Sequence, residues 1–277
     1  MAQSAPLKLS ASALRAYQEC KYRYALSYVS PLPHAQRVHI PSLSFGNAIH
    51  RTLAQFHRAG GHAHKSKDDL ISMLMDHWDS RPYSDPDIEL SMFRRAKDLV
   101  EQFFDSPYPR QGDQVLGVEL DLAWQVPCRQ MLAAGRIDLL RMRADGALEV
   151  VDYKTSSNPL TPEELASEPQ AVIYRSLVAS AYPRFRPTGI VVTFHFLGNN
   201  TPVSVEFDHE HFLQQWDRIE QICNHLRADL RHVELGARLE DVFFKTISER
   251  CKHCPMNHHC SGSPQFHAHG HRIHRQS

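Results

Sequence analysis

The sequence contains no hydrophobic run near the ~18 residues needed to cross a bilayer. Its first residues, MAQSAPLKLSAS, lack the apolar core of a secretory signal. These absences argue against membrane insertion and export, so a cytoplasmic protein is expected. Neither charge sign is in excess, with 31 basic residues against 31 acidic ones. Any polyanion must therefore be met by a local patch rather than by a global field. The phosphate-binding pattern G-x-x-x-x-G-K-[ST] is missing, so a helicase motor would have to be a separate protein. Internal repeats and low-complexity segments are absent as well. What is present is 42% hydrophobic residues in a chain of 277, enough to bury the core of one large domain or two small ones. There are six cysteines. In a reducing compartment they point to metal ligation before disulfides. Of 19 histidines, six fall within residues 258–274, in a polar tail read as disordered or weakly metal-binding.

Helical spacing of Leu14, Tyr17, Tyr24 and Tyr28 predicts one amphipathic helix over 9–29. A second is expected over 44–60, ended by Gly60-Gly61, and two more over 66–80 and 86–106. Residues 114–126, QVLGVELDLAWQV, alternate as a strand with Leu116, Val118, Leu120, Leu122 and Trp124 on one side. A hairpin follows over 135–156, then a helical stretch from Thr161 to Tyr182 in which Pro169 suits a helix start. Two strands around Asn199-Asn200-Thr201 and a helix over 209–230 complete the series. This order indicates a mixed α/β sheet with an added helical region.

The hairpin, GRIDLLRMRADGALEVVDYKTS, places acids where a strand should be apolar. A three-residue turn, Ala144-Asp145-Gly146, with glycine left-handed, makes Arg143 pair with Ala147. Asp138 then lies opposite Asp152 on one face, and Lys154 shares that face across from Arg136. A two-residue turn would instead put the two acids on opposite faces. Opposed carboxylates repel, and a divalent hard cation offsets that repulsion. A lysine beside them can stabilise charge on a transferring phosphoryl group or hold a water.

Asp138 followed by Asp152-Tyr153-Lys154 resembles the core of the PD-(D/E)XK nuclease superfamily, most closely its RecB-type branch. FGNAIH resembles the G-x-x-x-H helix of that family, and QAVIY its Q-x-x-x-Y motif. The resemblance implies a restriction-endonuclease-like mixed sheet flanked by helices. It also implies a metal-dependent DNA nuclease using Mg²⁺ or Mn²⁺. The implied metal ligands are His50, Asp138, Asp152 and the Tyr153 carbonyl, with Glu119 on the preceding strand either joining them or facing solvent. The implied catalytic group is Lys154 with Asp138 and Asp152, supported by Gln170 and Tyr174. The second acid is aspartate where glutamate is commoner, one methylene shorter.

Cys251, Cys254 and Cys260 follow the spacing C-x₂-C-x₅-C and need a fourth ligand, for which Cys20 stands ready. RecB-type iron–sulfur nucleases are similar, with one cysteine before the core and three after it, so a 4Fe–4S cluster is implied. Zinc at the same four cysteines is the alternative. Cys128 and Cys223 fall outside the pattern. DNA, single-stranded in one reading, is the expected partner, contacted through Arg15, Lys21, Arg23 and Tyr17. The other reading packs those tyrosines internally. A separate helicase, recombination or CRISPR protein is a further expected partner. The rival function is a nuclease-like subunit that binds DNA without cutting. The expected layout is an N-terminal helical region (1–110), a nuclease core (111–235), an iron–sulfur segment (236–262) and a disordered tail (263–277).

Overall fold

A computed structural model of the chain describes residues 6–33, 40–106, 108, 114–127 and 130–261. Cys128 and the histidine-rich tail over 263–277 lie outside the described residues. The chain divides into two compact units, Met1–Ser10 with Pro41–Arg218, and Ala11–Ile40 with Ile219–Ser277.

The first unit is a mixed α/β domain. Its elements are β1 (Leu7–Leu9), β2 (Gln114–Val126), β3 (Met131–Met142), β4 (Leu148–Lys154), β5 (Ile190–Phe196) and β6 (Thr201–Glu206). β2 runs antiparallel along one edge of β3, from Gln114↔Met142 to Val126↔Met131. The other edge of β3 is shared. β1 pairs with it in parallel up to Leu9↔Ala133, and β4 pairs antiparallel from Leu139↔Val151 onward. Residues 134–138 thus meet neither strand on that side, which leaves a gap in the sheet. β4 and β5 are parallel, and β6 closes the far edge antiparallel to β5. The hairpin turn has the expected register. Arg143 N–H donates to Ala147 O at 2.9 Å, and Gly146 takes φ +86°, which glycine alone adopts without a Cβ penalty. The buried cross-strand pair Arg141–Glu149, 2.7 Å apart, pins that register further.

Helices cover both faces. Between β1 and β2 the chain forms α1 (Ala11–Glu19) and α2 (Lys21–Tyr24), both of the second unit, then α3 (Pro41–Arg58), α4 (Lys67–His77) and α5 (Pro86–Asp105). Ser66 and Asp69 form a capping box that starts α4, and the Asp85 carboxylate caps α5, whose first residue is proline. Ile49, Leu53, Phe56, Leu74, Val100 and Phe103 pack against Leu139, Val151 and Tyr153, so α3, α4 and α5 cover one face. After β4 come α6 (Pro162–Ala166) and α7 (Pro169–Ala181). They replace the single expected helical stretch because two prolines each begin a helix, at Pro162 and Pro169. Gly135 lets α7 approach the sheet, since a Cβ there would meet Leu177 and Tyr174 at 3.1 Å.

The second unit holds α1, α2, the C-terminal part of α8 (His209–Glu234) and α9 (Leu239–Val242). Here the expected helix over 9–29 is corrected. Cys20 adopts extended backbone, φ −161° and ψ 109°, and breaks it. Leu7–Leu9 is a strand, too short for alternation to reveal. Beyond α2 the helix widens to π-helical winding over Ala25–Val29. Cys223 is fully buried in α8, as its position on the apolar face implies.

Candidate active site

The gap in the sheet organises the first unit's polar groups. Arg136 O, unpaired by any strand on the gap side, accepts the Tyr174 hydroxyl at 2.7 Å. Asp138 Oδ2 accepts the Tyr153 backbone N–H at 2.8 Å, so a carboxylate takes the role of a ladder carbonyl. That same oxygen lies 3.1 Å from His50 Nδ1 on α3. Glu119 on β2 sits at φ +52°, an uncommon conformation for a residue with a side chain. The strand around it is irregular, with a register shift between Val115 and Gly117. The Glu119 carboxylate turns toward Asp138 and His50, whereas Asp121 two residues on points outward to Arg136.

His50, Glu119 and Asp138 each offer a ligand atom, and these atoms lie within 4.8 Å of one another. An imidazole nitrogen and two carboxylate oxygens suit a divalent cation. Electrostatics agree. Burial disfavours a charge on His50, but the hydrogen bond and charge of Asp138, helped by Asp152, raise its pKa to about 9. Burial together with Asp138 raises the Glu119 carboxyl. The group thus attracts positive charge, and the residues present fit a divalent cation.

Asp152 stands outside this trio. Only 3% of it is exposed, and it faces α7. Its Oδ1 accepts Gln170 Nε2 at 2.8 Å and lies 3.2 Å from the Tyr174 hydroxyl. Its Oδ2 lies 2.6 Å from Lys154 Nζ, a charge contact without hydrogen-bond direction. Burial raises the Asp152 carboxyl, and Lys154 works against that rise. Lys154 also donates to Gln170 Oε1 at 2.8 Å and sits 4.2 Å over the Phe194 ring. Gln170 donates to the Tyr174 oxygen at 2.8 Å. The sequence-predicted residues therefore gather into two adjoining groups, joined by the Tyr153 N–H.

Sequence reasoning missed His57. It follows His50 by two helical turns, and its Nε2 is 2.8 Å from the Tyr153 hydroxyl. Burial lowers its pKa to about 3, so the ring is neutral and shares a hydrogen bond with the Tyr153 hydroxyl. The i, i+7 spacing of two histidines on one helix was the available signal.

In the second unit, Cys20, Cys251, Cys254 and Cys260 line one cavity. Cys20 Sγ accepts the Thr246 N–H and Cys251 Sγ the Ser248 N–H, each at 3.4 Å. The residues expected to contact DNA are engaged nearby. The Tyr17 ring is buried, and its hydroxyl donates to Asp229 at 2.6 Å. Lys21 pairs with the same carboxylate at 2.7 Å, and Arg23 with Glu19 at 2.8 Å. Tyr17 is thus not presented for base stacking, while Arg15 is exposed. Among the described residues no helix is long and apolar enough to cross a membrane.

Known proteins extend this picture. The chain is 29% identical over 157 residues to a subunit of the ATP-dependent helicase/deoxyribonuclease of Streptococcus pyogenes serotype M49 (strain NZ131). The match covers 55% of this chain and 14% of that one. Its counterpart from serotype M3 (strain ATCC BAA-595 / MGAS315) is 27% identical over 159 residues, again over 55% and 14% of the two chains. The chain thus spans a small part of the relatives it matches. An exonuclease-like solved structure from Eubacterium rectale aligns over 77% of both chains, with 8% identity and a TM-score of 0.45. The profile of the PD-(D/E)XK nuclease superfamily matches residues 8–261, nearly the whole chain, and the chain belongs to that superfamily.

Proposed function

We propose that this chain is a metal-dependent deoxyribonuclease that hydrolyses phosphodiesters in single strands or at DNA ends, as an exonuclease. The observation behind this reading is the meeting of His50, Glu119 and Asp138 within 4.8 Å, beside the Lys154–Asp152 pair. His50, Glu119 and Asp138 hold Mg²⁺ or Mn²⁺, with the Tyr153 carbonyl and Asp152 as the further family ligands. When bound, the cation supplies Lewis-acid polarisation of the phosphodiester and a more acidic water. Lys154 has three N–H donors, of which Gln170 Oε1 accepts one, while Asp152 holds the ammonium as an ion pair. A donor not taken by Gln170 serves a water or a phosphoryl oxygen. Gln170 and Tyr174 fix the direction of that ammonium by holding Asp152 from the opposite side.

Cys20, Cys251, Cys254 and Cys260 hold a 4Fe–4S cluster in this reading. Amide N–H donors aimed at Cys20 and Cys251 support thiolate ligands there. Zinc at the same four cysteines is the alternative. The relatives' name points to a helicase as partner, and the setting we infer is DNA repair, recombination or CRISPR processing.

The test is cleavage of a labelled oligodeoxynucleotide with Mg²⁺ or Mn²⁺. Asp138→Ala and Lys154→Ala are each expected to lose at least ~10²–10³-fold in rate, with unchanged circular dichroism. Wild-type activity in both variants would overturn the assignment. Comparing linear with circular substrates separates end-directed from internal cutting.

A further inference from the structure

Beside the trio runs an open groove of about 600 Å³, lined by Arg51, Gln55, Arg58, His77, Glu119 and Arg136 among others. Arg51, Gln55 and Arg58 form one stripe of α3, at spacings of four and three residues that bring them to one helix face. Arg51 directly follows His50 in the chain. Charges in this groove do not cancel. Asp121 is taken up by Arg136, through hydrogen bonds of 2.8 and 2.9 Å. Glu119 belongs with His50 and Asp138 and also lies 3.8 Å from Arg136, the cation it shares with Asp121. His77 pairs with Gln55 at 2.7 Å. Among the described residues Arg51 has no carboxylate partner, and Arg58 donates to the Val118 carbonyl at 3.3 Å. Both guanidiniums are exposed. Arg58 is anchored by one of its five N–H donors and keeps the others for a ligand. The carbonyl that anchors it belongs to the residue before Glu119, so its head is fixed next to the metal-binding carboxylates.

We propose that this groove holds the sugar–phosphate backbone of one DNA strand flanking the bond to be cut, with Arg51 and Arg58 each neutralising a phosphate. The proposal rests on the nuclease reading and adds to it where the strand runs. Seven residues of helix separate the two arginines by ~10 Å of rise, so they reach different phosphates of one strand. Guanidiniums suit phosphate oxygens through paired N–H donors. No Phe, Tyr or Trp is among the residues lining the groove, and its one ring, His77, is held by Gln55. Contact there is therefore with the backbone, and the binding is insensitive to sequence.

The experiment measures binding of a fluorescein-labelled oligodeoxythymidylate by anisotropy, in EDTA, across a salt series. For single strands each lost phosphate contact lowers the slope of log K against log salt by ~0.7. Arg51→Ala and Arg58→Ala should each show that drop, the double variant about twice it, and all should bind Mn²⁺ as the wild type does. Slopes equal to wild type in both single variants would overturn the groove. A parallel loss of Mn²⁺ affinity would also overturn it, by assigning the effect to the metal-binding group. No cleavage is needed for this measurement. A wild-type protein with the expected slopes that never cuts DNA would sink the nuclease reading and leave the groove standing.

Discussion

The two units hold their functional side chains by different means. In the first, the acids, lysine, glutamine and tyrosine come from strands and helices set by a large core. One cluster of sixteen buried residues beneath α3, α4 and α5 includes Tyr153, which lies between Asp152 and Lys154. The hydrogen bonds among Asp152, Lys154, Gln170 and Tyr174 need no ligand to close. In the second unit, the cluster beside the cysteines has three buried residues, Tyr22, Leu26 and Met256, with Cys20, Cys254 and Cys260 packed against it. Phe244 and Ile247 are exposed there, at 53% and 69%. Elsewhere that unit buries Leu14, Tyr17, Tyr24, Ile219, Leu226 and Phe243, so the weakly buried part is the end that carries the cysteines, and a metal bound by the thiols is expected to contribute to the order of that end. A metal so placed is part of folding, whereas a metal at His50, Glu119 and Asp138 is added to a frame already built.

Variants can break this contrast. The largest effect is expected from Cys251→Ser. It should lose iron and visible absorption, and lower the first thermal transition by at least ~8 °C, the shift given by ~2 kcal/mol in a unit of this size. Asp138→Ala should leave that transition in place. Equal melting of Cys251→Ser and wild type would mean that the cysteines are not a folding clasp. The smallest effect concerns strain. Glu119 holds φ +52°, which costs a residue with a Cβ ~1–3 kcal/mol. Glycine relieves that cost but loses more backbone entropy on folding. Glu119→Gly should therefore raise the melting temperature of the first unit slightly, by ~1–3 °C, while weakening Mn²⁺ binding. A fall in melting temperature would show that Glu119 stabilises the fold and stores no strain.

Much of the first unit was legible because it depends on local patterns. Alternation and turn chemistry set the hairpin, including the Arg143–Ala147 register and left-handed Gly146. The i, i+4 pair Gln170 and Tyr174 meets Asp152 as their shared helix face implies. The separation of Asp152 from the trio was not legible. It follows from the gap between β1 and β4 beside β3, and β1 is three residues long. The turned backbone at Glu119 is equally hidden, because only tertiary contacts can impose a left-handed conformation on a glutamate. The break at Cys20 has the same character. Its neighbours have helical spacing, yet the residue is extended with its sulfur accepting the Thr246 N–H, 226 positions away. The engagement of Tyr17 and Lys21 by Asp229 likewise joins distant parts of the chain.

The most direct test is a Mn²⁺ titration followed by electron paramagnetic resonance on the wild type, His50→Ala, Asp138→Asn and Lys154→Ala. The account predicts that His50→Ala and Asp138→Asn weaken binding by more than the ~10–100-fold typical of losing an outer-shell partner, while Lys154→Ala binds at least as well as wild type. Undiminished Mn²⁺ affinity in His50→Ala and Asp138→Asn would contradict it.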